Sequence, residues 1–198
     1  ILIIRGDPHK SDSTFIPEPG GHKHAIDVVK QAVKMNKGIF LEEDLSDVSP
    51  TNFCIGVAGY PEKHYEAPNM KSDLQHLKDK VDAGAEYIIT QMFFDNSKFF
   101  EFEKECREMG ITVPIIPGLK PITLRNQINT LPRLFHVDIP VELSSAIEKT
   151  KTEAEAKAVG LEWCIAQCKE LVKANVPLLH FYTMSNPAPV KEVVSRTF

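Results

Sequence analysis

The chain has 198 residues, of which 42% are hydrophobic and 25% are charged, the proportions of an ordinary globular domain. Its net charge of −4 provides no basic surface for a phosphate backbone, and no apolar run approaches the roughly 20 residues of a membrane helix, so we expect neither nucleic acid nor a membrane as a partner. The four cysteines lie in apolar patterns without the two-residue spacing of zinc or redox sites, which predicts reduced thiols in a cytoplasmic protein.

Five short apolar runs predict β-strands, and each is followed by a helical pattern. After the first run, the Pro- and Gly-containing stretch Asp12–Gly21 predicts a long loop of the kind that often holds ligands. Gly84 and Gly110 mark the ends of two helices. The predicted strands are Ile1–Ile4, Cys54–Ala58, Tyr87–Gln91, Pro114–Ile116 and Leu178–Tyr182, and the predicted helices are about His24–Lys37, Lys71–Ala83, Ser97–Met109, Thr123–Asn129, Thr152–Ala174 and Pro187–Arg196.

The predicted helix Lys71–Ala83 carries two stripes of side chains at helical spacing. One stripe is apolar and indicates the face that packs on the core. The other stripe is polar and is expected to face either solvent or a ligand. The apolar stripe consists of Leu74, Leu77 and Val81, and the polar stripe consists of Asp73, His76 and Lys80.

Continuous apolar strands that alternate with amphipathic helices are typical of an α/β fold with parallel strands. Two architectures fit: an open doubly wound sheet, or five units of an eight-unit barrel. A polar group or glycine follows every predicted strand, which favours the barrel, because an open sheet concentrates its ligands at one switch point. These strand-end groups are Arg5-Gly6-Asp7, Gly59-Tyr60-Pro61, Gln91, Gly118 and His180 through Thr183. Five strands cannot close such a barrel.

Two of these strand-end side chains suit a heterocyclic ligand. Asp7 follows a glycine that lets a ligand approach the backbone, and its carboxylate suits an electron-poor or proton-bearing ring, although it could also cap a turn or pair with Arg5. The amide of Gln91 both donates and accepts, as the edge of a pterin or nicotinamide requires, although it could also bond a neighbouring strand. His64 has no second ligand at metal-binding spacing, so no metal site is expected.

Five motifs in order along the chain resemble the methylenetetrahydrofolate reductase family. They are RGDP, AGYPEKHYEAP, SDLQHLKDKVDAGAEYIITQMFFD, MGITVPIIPGLKPI and LHFYTM, and the match extends from Ile1 to about Arg196. The resemblance implies a (β/α)8 TIM barrel that binds FAD at the carboxyl ends of its strands. It also implies that NAD(P)H reduces the flavin, which then passes a hydride to 5,10-methylenetetrahydrofolate and gives 5-methyltetrahydrofolate, a step of one-carbon and methionine metabolism.

The resemblance also implies roles for individual residues. Asp7 is expected to be catalytic, as the carboxylate that faces the pterin and tunes the flavin. Lys23-His24-Ala25 stands where the family usually has Asn-Tyr-Ala, and Asn186 stands at the position of a substrate-binding Arg, whose planar cation an Asn cannot supply. The expected flavin contacts are Arg5, Gly6, Asp7, Ala25, Tyr60, His64, Asp73, His76 and Lys80, and the expected folate contacts are Gln91, Gln127 and Asn186.

In the family, ILIIRGDP is the fourth strand, so residues 1–198 are expected to form a single catalytic-domain fragment with strands four to eight. The Glu of the first strand, the acid that helps to open the methylene bridge, would then lie upstream, and we expect the isolated chain to be inactive. One alternative is a non-catalytic relative that binds flavin, folate or a partner subunit. Another is an unrelated barrel lyase or aldolase, for which Lys120 would form the Schiff base. A homo-oligomer is a further possibility that the resemblance leaves open.

Overall fold

The computed structural model describes residues 1–6, 8, 14–42 and 45–198. Within these ranges the chain has an α/β fold, in which five parallel strands pair in sequence order and the sheet curls into a half-barrel, as expected for part of a (β/α)-barrel. The strands are β1 (Leu2–Ile3), β2 (Gly56–Gly59), β3 (Tyr87–Met92), β4 (Ile115–Leu119) and β5 (His180–Phe181).

Seven helices in the described ranges connect and follow these strands. None of them is both long enough and apolar enough to cross a membrane. The helices are α1 (Ala25–Met35), α2 (Met70–Asp82), α3 (Asn96–Glu108), α4 (Gln127–Phe135), α5 (Val141–Glu148), α6 (Glu153–Lys173) and α7 (Ala188–Thr197).

The alternation of side chains along β3 shows how the sheet is buried. Ile88, Thr90 and Met92 are buried, whereas the other three residues of the strand are half-buried. One face of the sheet therefore packs on the helices, while the other forms the concave side. The main core joins the sheet to the surrounding helices, and its members include Val57, Ile88, Leu77, Phe102 and Leu161. A second cluster lies beyond the end of β3 and includes Met92, Ile122, Leu131, Leu143 and Ile147.

The structure confirms the predicted helix stops, because Gly84 and Gly110 have φ values of 119° and 76°, in the region that favours glycine. It also corrects the predicted elements in three places. The predicted helix Thr123–Asn129 is wrong at both ends, because α4 starts at Gln127 and continues through Pro132 to Phe135, where burial of its apolar face in the second cluster offsets the missing N–H.

The other two corrections concern an unpredicted helix and a longer strand. Helix α5 was not predicted, since its eight residues provide only Leu143 and Ile147 as a periodic signal. The predicted strand Pro114–Ile116 is too short, because β4 extends through Pro117 to Leu119. The strand tolerates Pro117 beside a register shift in its pairing with β3.

We predict that Gly118→Ala destabilises the protein by about 1–3 kcal/mol, because a Cβ at this position would lie 2.2 Å from the Thr90 carbonyl oxygen and 2.7 Å from the Tyr182 ring. Urea unfolding of the purified variant measures the change. Gly6→Ala is the control, since a Cβ at Gly6 meets nothing within 4 Å among the described residues. Equal unfolding midpoints for the two variants would contradict the prediction.

Candidate functional site

A cavity of about 430 Å³ opens at the carboxyl ends of β1 and β2 and extends along α2. Ile3, Ile4 and Ala58 provide an apolar wall, and charged or hydrogen-bonding side chains provide the rest. The cavity brings together seven of the residues that the sequence predicts as cofactor contacts, namely Arg5, Ala25, Tyr60, His64, Asp73, His76 and Lys80.

The polar stripe of α2 faces this cavity. Asp73, His76 and Lys80 line it, while Leu74 and Leu77 are buried in the main core. Of the two possibilities left open by the sequence, the ligand-facing one therefore fits the geometry. Asn69 caps the start of the helix, because its side chain accepts a hydrogen bond from the Ser72 amide at 2.9 Å.

Lys80 joins α2 to the end of β2. Its Nζ donates to the Ala58 carbonyl oxygen at 2.8 Å, and no carboxylate in the described part of the chain lies within ion-pair distance of it. Burial lowers the pKa of Lys80 to about 8, and the charge of Asp73 only partly opposes this effect. The cavity wall thus contains a desolvated cation whose charge an anionic ligand would compensate.

The loop that follows β2 is held in one shape by charged side chains. Lys63 has a φ of 75°, which is unusual for a residue with a side chain. Its ammonium group donates to the carbonyl oxygens of His64 and Ala67 at 2.9 and 2.7 Å, so these bonds stabilise the turn. The His64 amide donates to Asp73 Oδ2 at 2.8 Å, which ties the loop to α2.

The contacts of His64 define its protonation. The Glu66 amide donates to Nδ1 at 3.2 Å, so the neutral ring carries its proton on Nε2. Burial lowers the pKa of His64, since it outweighs the attraction of Asp73 and Glu66. The ring packs edge-on against Tyr60, with 4.6 Å between the ring centroids. At neutral pH His64 therefore provides an N–H donor rather than a cation.

Arg5 is held at the cavity by two contacts. Its Nη2 lies 2.7 Å from Glu66 Oε2, and its guanidinium lies 4.9 Å from the ring centroid of Phe15. The Tyr65 hydroxyl donates to the other oxygen of Glu66 at 3.1 Å. Glu66 and Asp79 line the cavity but were not predicted as site residues. The sequence features that could have indicated them are the YPEKHYEAP segment, which contains Glu66, and the neighbouring Lys80, which follows Asp79.

The two remaining predicted flavin contacts are Gly6 and Asp7. Gly6 belongs to the described residues but does not line the cavity. Asp7, the predicted catalytic carboxylate, lies outside the described residues. Both roles stay predictions.

The three predicted folate contacts also lie outside the large cavity. Gln91 lines a small cavity of about 10 Å³ together with Tyr60 and Glu62, and its Oε1 accepts from the Met92 amide at 2.9 Å. Gln127 Oε1 accepts from the amides of Thr123 and Leu124 at 2.7 and 3.1 Å. Asn186 Oδ1 accepts from the Ala188 amide at 3.3 Å. The last two side chains thus shape the turns before α4 and α7.

The strand-end residues His180, Tyr182 and Lys120 do not line the large cavity. The rings of His180 and Tyr182 pack edge-on, with 4.8 Å between their centroids. Lys120 is only 5% exposed, and desolvation lowers its pKa. Of the four free cysteines, Cys54 is exposed and the other three are buried. No group of three or more His, Cys, Asp or Glu side chains among the described residues could hold a metal ion.

Comparison with known proteins identifies relatives. The family model of methylenetetrahydrofolate reductase matches residues 1–197. A probable methylenetetrahydrofolate reductase (NADPH) of Caenorhabditis elegans is 41% identical over 72% of this chain and 22% of its own length. A probable methylenetetrahydrofolate reductase (NADH) of Oryza sativa is 36% identical over 93% of this chain and 31% of its own. The 5,10-methylenetetrahydrofolate reductase of Salmonella typhimurium is 40% identical over 68% and 46%, respectively. The chain thus spans less than half the length of each of these relatives.

A solved structure shares the fold. It is that of an uncharacterised protein from Clostridium thermocellum, described as binding two copies of 5-methyl-5,6,7,8-tetrahydrofolic acid. It matches with a TM-score of 0.50 and 15% identity, over 72% of this chain and 52% of that protein.

We predict that the half-buried carboxyl of Glu62 makes stability depend on pH. Burial raises its pKa to about 7, and this effect outweighs the hydrogen bond that it accepts from the Asp138 amide at 3.0 Å. Because the folded state binds this proton more tightly than the unfolded chain, its contribution to stability is largest below the unfolded pKa of 4.5 and is lost as the pH rises towards 7.

Glu62→Gln should therefore have a more favourable effect on the free energy of unfolding at about pH 8 than at about pH 5. The difference between the two effects should be on the order of 1 kcal/mol. Urea unfolding at both pH values measures the difference. Glu148→Gln, on the exposed side of α5, removes the same charge without altering this buried position. An equal effect of Glu62→Gln at both pH values would show that the carboxyl is not protonated near neutral pH.

Proposed function

The chain belongs to the methylenetetrahydrofolate reductase family, and from this premise we propose that it is part of an FAD-dependent enzyme that reduces 5,10-methylenetetrahydrofolate to 5-methyltetrahydrofolate with NAD(P)H. The observation that carries the proposal is the cavity along α2. Its apolar wall, its two cations and its neutral histidine donor suit a ligand that combines a flat aromatic ring with phosphate groups.

The described residues fit a flavin dinucleotide. Lys80 supplies a desolvated cation that has no ion-pair partner in the part of the chain that the structure describes, and Arg5 supplies a planar group whose hydrogen bonds match phosphate oxygens. His64 and His76 add hydrogen-bonding groups. When bound, the flavin would supply hydride transfer between the nicotinamide and the folate. The chain's own residues would hold and orient the flavin, and Asp7 would place a negative charge near its ring.

The folate would bind beyond the large cavity, in contact with Gln91, Gln127 and Asn186. Tyr60 lines both the large cavity and the small one beside Gln91, so the two proposed sites share a wall. The fold neighbour described as binding 5-methyltetrahydrofolic acid supports a folate ligand. One relative is named for NADPH and another for NADH, so the proposal names either nicotinamide as the reductant.

The five strands are proposed to be strands four to eight of an eight-stranded barrel. Leu2 and Ile4 of the first strand and its flank are exposed, although apolar side chains at these positions would be covered in a closed barrel. The acid that opens the methylene bridge would then come from an upstream strand. The free thiols fit a cytoplasmic location.

A second candidate is a relative that binds flavin or folate without catalysis. It is favoured by Asn186, because this side chain stands at the position of a family Arg, carries no charge and bonds the start of α7. The two candidates differ in their response to a reductant. A catalytic flavoprotein is bleached by NADH or NADPH, whereas a binding relative is not.

We predict that residues 1–198 alone do not reduce 5,10-methylenetetrahydrofolate, and that the same chain extended by the sequence preceding it in its gene binds FAD and is bleached by NADH or NADPH. Reading the gene upstream of Ile1 for an in-frame Glu in an aromatic, proline-containing strand end comes first. Absorbance of the flavin and turnover with folate then test both proteins. Turnover by the 198-residue chain, or an extended protein that binds no flavin, would contradict the proposal.

We predict that Lys80→Met lowers the affinity for FAD at least tenfold, because a charge-assisted contact in a desolvated position contributes about 1.5–3 kcal/mol. Fluorescence quenching of FAD on titration with protein measures the affinity. Lys78→Met is the matched control, since Lys78 lies on the same helix but pairs with Asp82 and does not line the cavity.

The same titration against pH provides a second test of Lys80. With a pKa of about 8, Lys80 is charged at neutral pH and loses its charge as the pH rises. FAD affinity should therefore fall above about pH 8 in the wild-type protein and change less in Lys80→Met. An unchanged pH profile in this variant would show that Lys80 does not contact the anionic part of the ligand.

A further inference from the structure

The junction between β3, β4 and β5 lies directly before Gln91. The pairing of β3 with β4 shifts register between Ile89 and Met92. At this irregularity the Gly118 amide donates to Thr90 Oγ1 at 2.9 Å, and the Tyr182 hydroxyl donates to the Thr90 carbonyl oxygen at 2.8 Å. One buried residue of β3, Thr90, thus bonds β4 through its side chain and the residue that directly follows β5 through its backbone.

The junction is tightly packed. A Cβ on Gly118 would lie 2.7 Å from the Tyr182 ring, so the ring packs directly against the backbone of Gly118. The ring of His180 packs edge-on against Tyr182 from the same face. Burial raises the pKa of Tyr182, so its hydroxyl keeps its proton and donates throughout the neutral range. Removing the hydroxyl would leave the Thr90 carbonyl without this partner in a place that water does not readily reach.

Hydrogen bonds hold the residues on both sides of Gln91. Gln91 Oε1 accepts from the amide of the next residue, Met92, at 2.9 Å, so the backbone on its C-terminal side orients the amide group. The backbone on its N-terminal side is held by Tyr182 and Gly118 through Thr90. Both sides of Gln91 are therefore anchored, and its Nε2 donor is presented in a defined direction.

We propose that Tyr182 is a positioning residue that orients Gln91 for the substrate through the Thr90 carbonyl. The inference rests on the proposed function, in which Gln91 contacts the folate. It adds a residue that acts on the folate without any hydrogen bond of its own to it. The phenol ring anchors the hydroxyl, and the hydroxyl fixes the strand end from which the amide projects.

Tyr182→Phe tests the inference in the FAD-loaded protein that includes the sequence flanking this chain in its gene. The probe is 5-methyltetrahydrofolate, titrated at a temperature well below unfolding. We expect the dissociation constant to rise about tenfold while the flavin content stays at the wild-type level. An unchanged dissociation constant would overturn the inference.

Tyr87→Phe is the matched control. The Tyr87 hydroxyl also donates to a backbone carbonyl of the sheet, that of Ile1 at 3.0 Å, but it lies at the opposite end of β3. The two variants therefore lose the same kind of bond, and a general loosening of the sheet would affect both. We expect folate binding to be weakened only in Tyr182→Phe, and equal weakening in both variants would assign Tyr182 a merely structural role.

A double-mutant cycle with Gln91→Ala separates this inference from the proposed function. Gln91→Ala should weaken folate binding, and Tyr182→Phe should add nothing further in that background. A full tenfold loss in the double variant would show that Tyr182 acts by another route and would overturn the inference alone. Unchanged binding in Gln91→Ala would overturn the proposed role of Gln91 and the inference together.

A second pair of variants keeps the test decisive if Tyr182→Phe does not fold. Thr90→Val removes the oxygen that accepts from Gly118, whereas Thr90→Ser retains it. Both substitutions keep a side chain of similar size at the junction. We expect weakened folate binding in Thr90→Val and near wild-type binding in Thr90→Ser. Equal affinities for the two variants would show that the bonds that hold Thr90 do not orient Gln91, and would overturn the inference.

Discussion

Parallel pairing of all five strands is the constraint on which the rest of the structure depends. It brings every strand end to the same edge of the sheet, so that residues far apart in sequence become neighbours. The helix that follows β2 must then cross the outer face and return, which places one face of α2 on the core and the other along the strand ends. The cavity lies in the space between this second face and the ends of β1 and β2.

The electrostatics of the cavity follow from how each cation is held. Arg5 is paired with Glu66, and this hydrogen bond lowers the pKa of the carboxyl, so the pair remains ionised. Among the described residues, Lys80 bonds a neutral carbonyl oxygen and no carboxylate, and desolvation disfavours its charge. An anion in the cavity therefore gains more from Lys80, because it compensates a charge that the described residues leave uncompensated, whereas at Arg5 it must compete with Glu66.

The sequence predicts the parts of this site that are regular. The polar stripe of α2 was visible because Asp73, His76 and Lys80 recur at helical spacing, and Gly84 marked where the helix ends. Glu66 was not predicted as a site residue, since only the fold brings it to Arg5. The bonds of Gln127 to the turn before α4 were equally invisible, because a glutamine side chain gives no periodic signal. Contacts between residues of different helices, strands and loops could not be predicted from the periodicity of the sequence.

The loop after β2 is the element that links the two proposed ligand sites. Its residue His64 lines the large cavity, and its residue Glu62 lines the small cavity beside Gln91. The far side of the loop is attached to the end of α4, because Tyr65 stacks on His136 with 4.6 Å between ring centroids and Glu62 accepts from the Asp138 amide. A shift of this loop would therefore move His64, a proposed cofactor contact, and Glu62, a neighbour of the Gln91 amide, together. Since burial raises the pKa of Glu62 to about 7, the charge at this attachment of the loop changes near neutral pH.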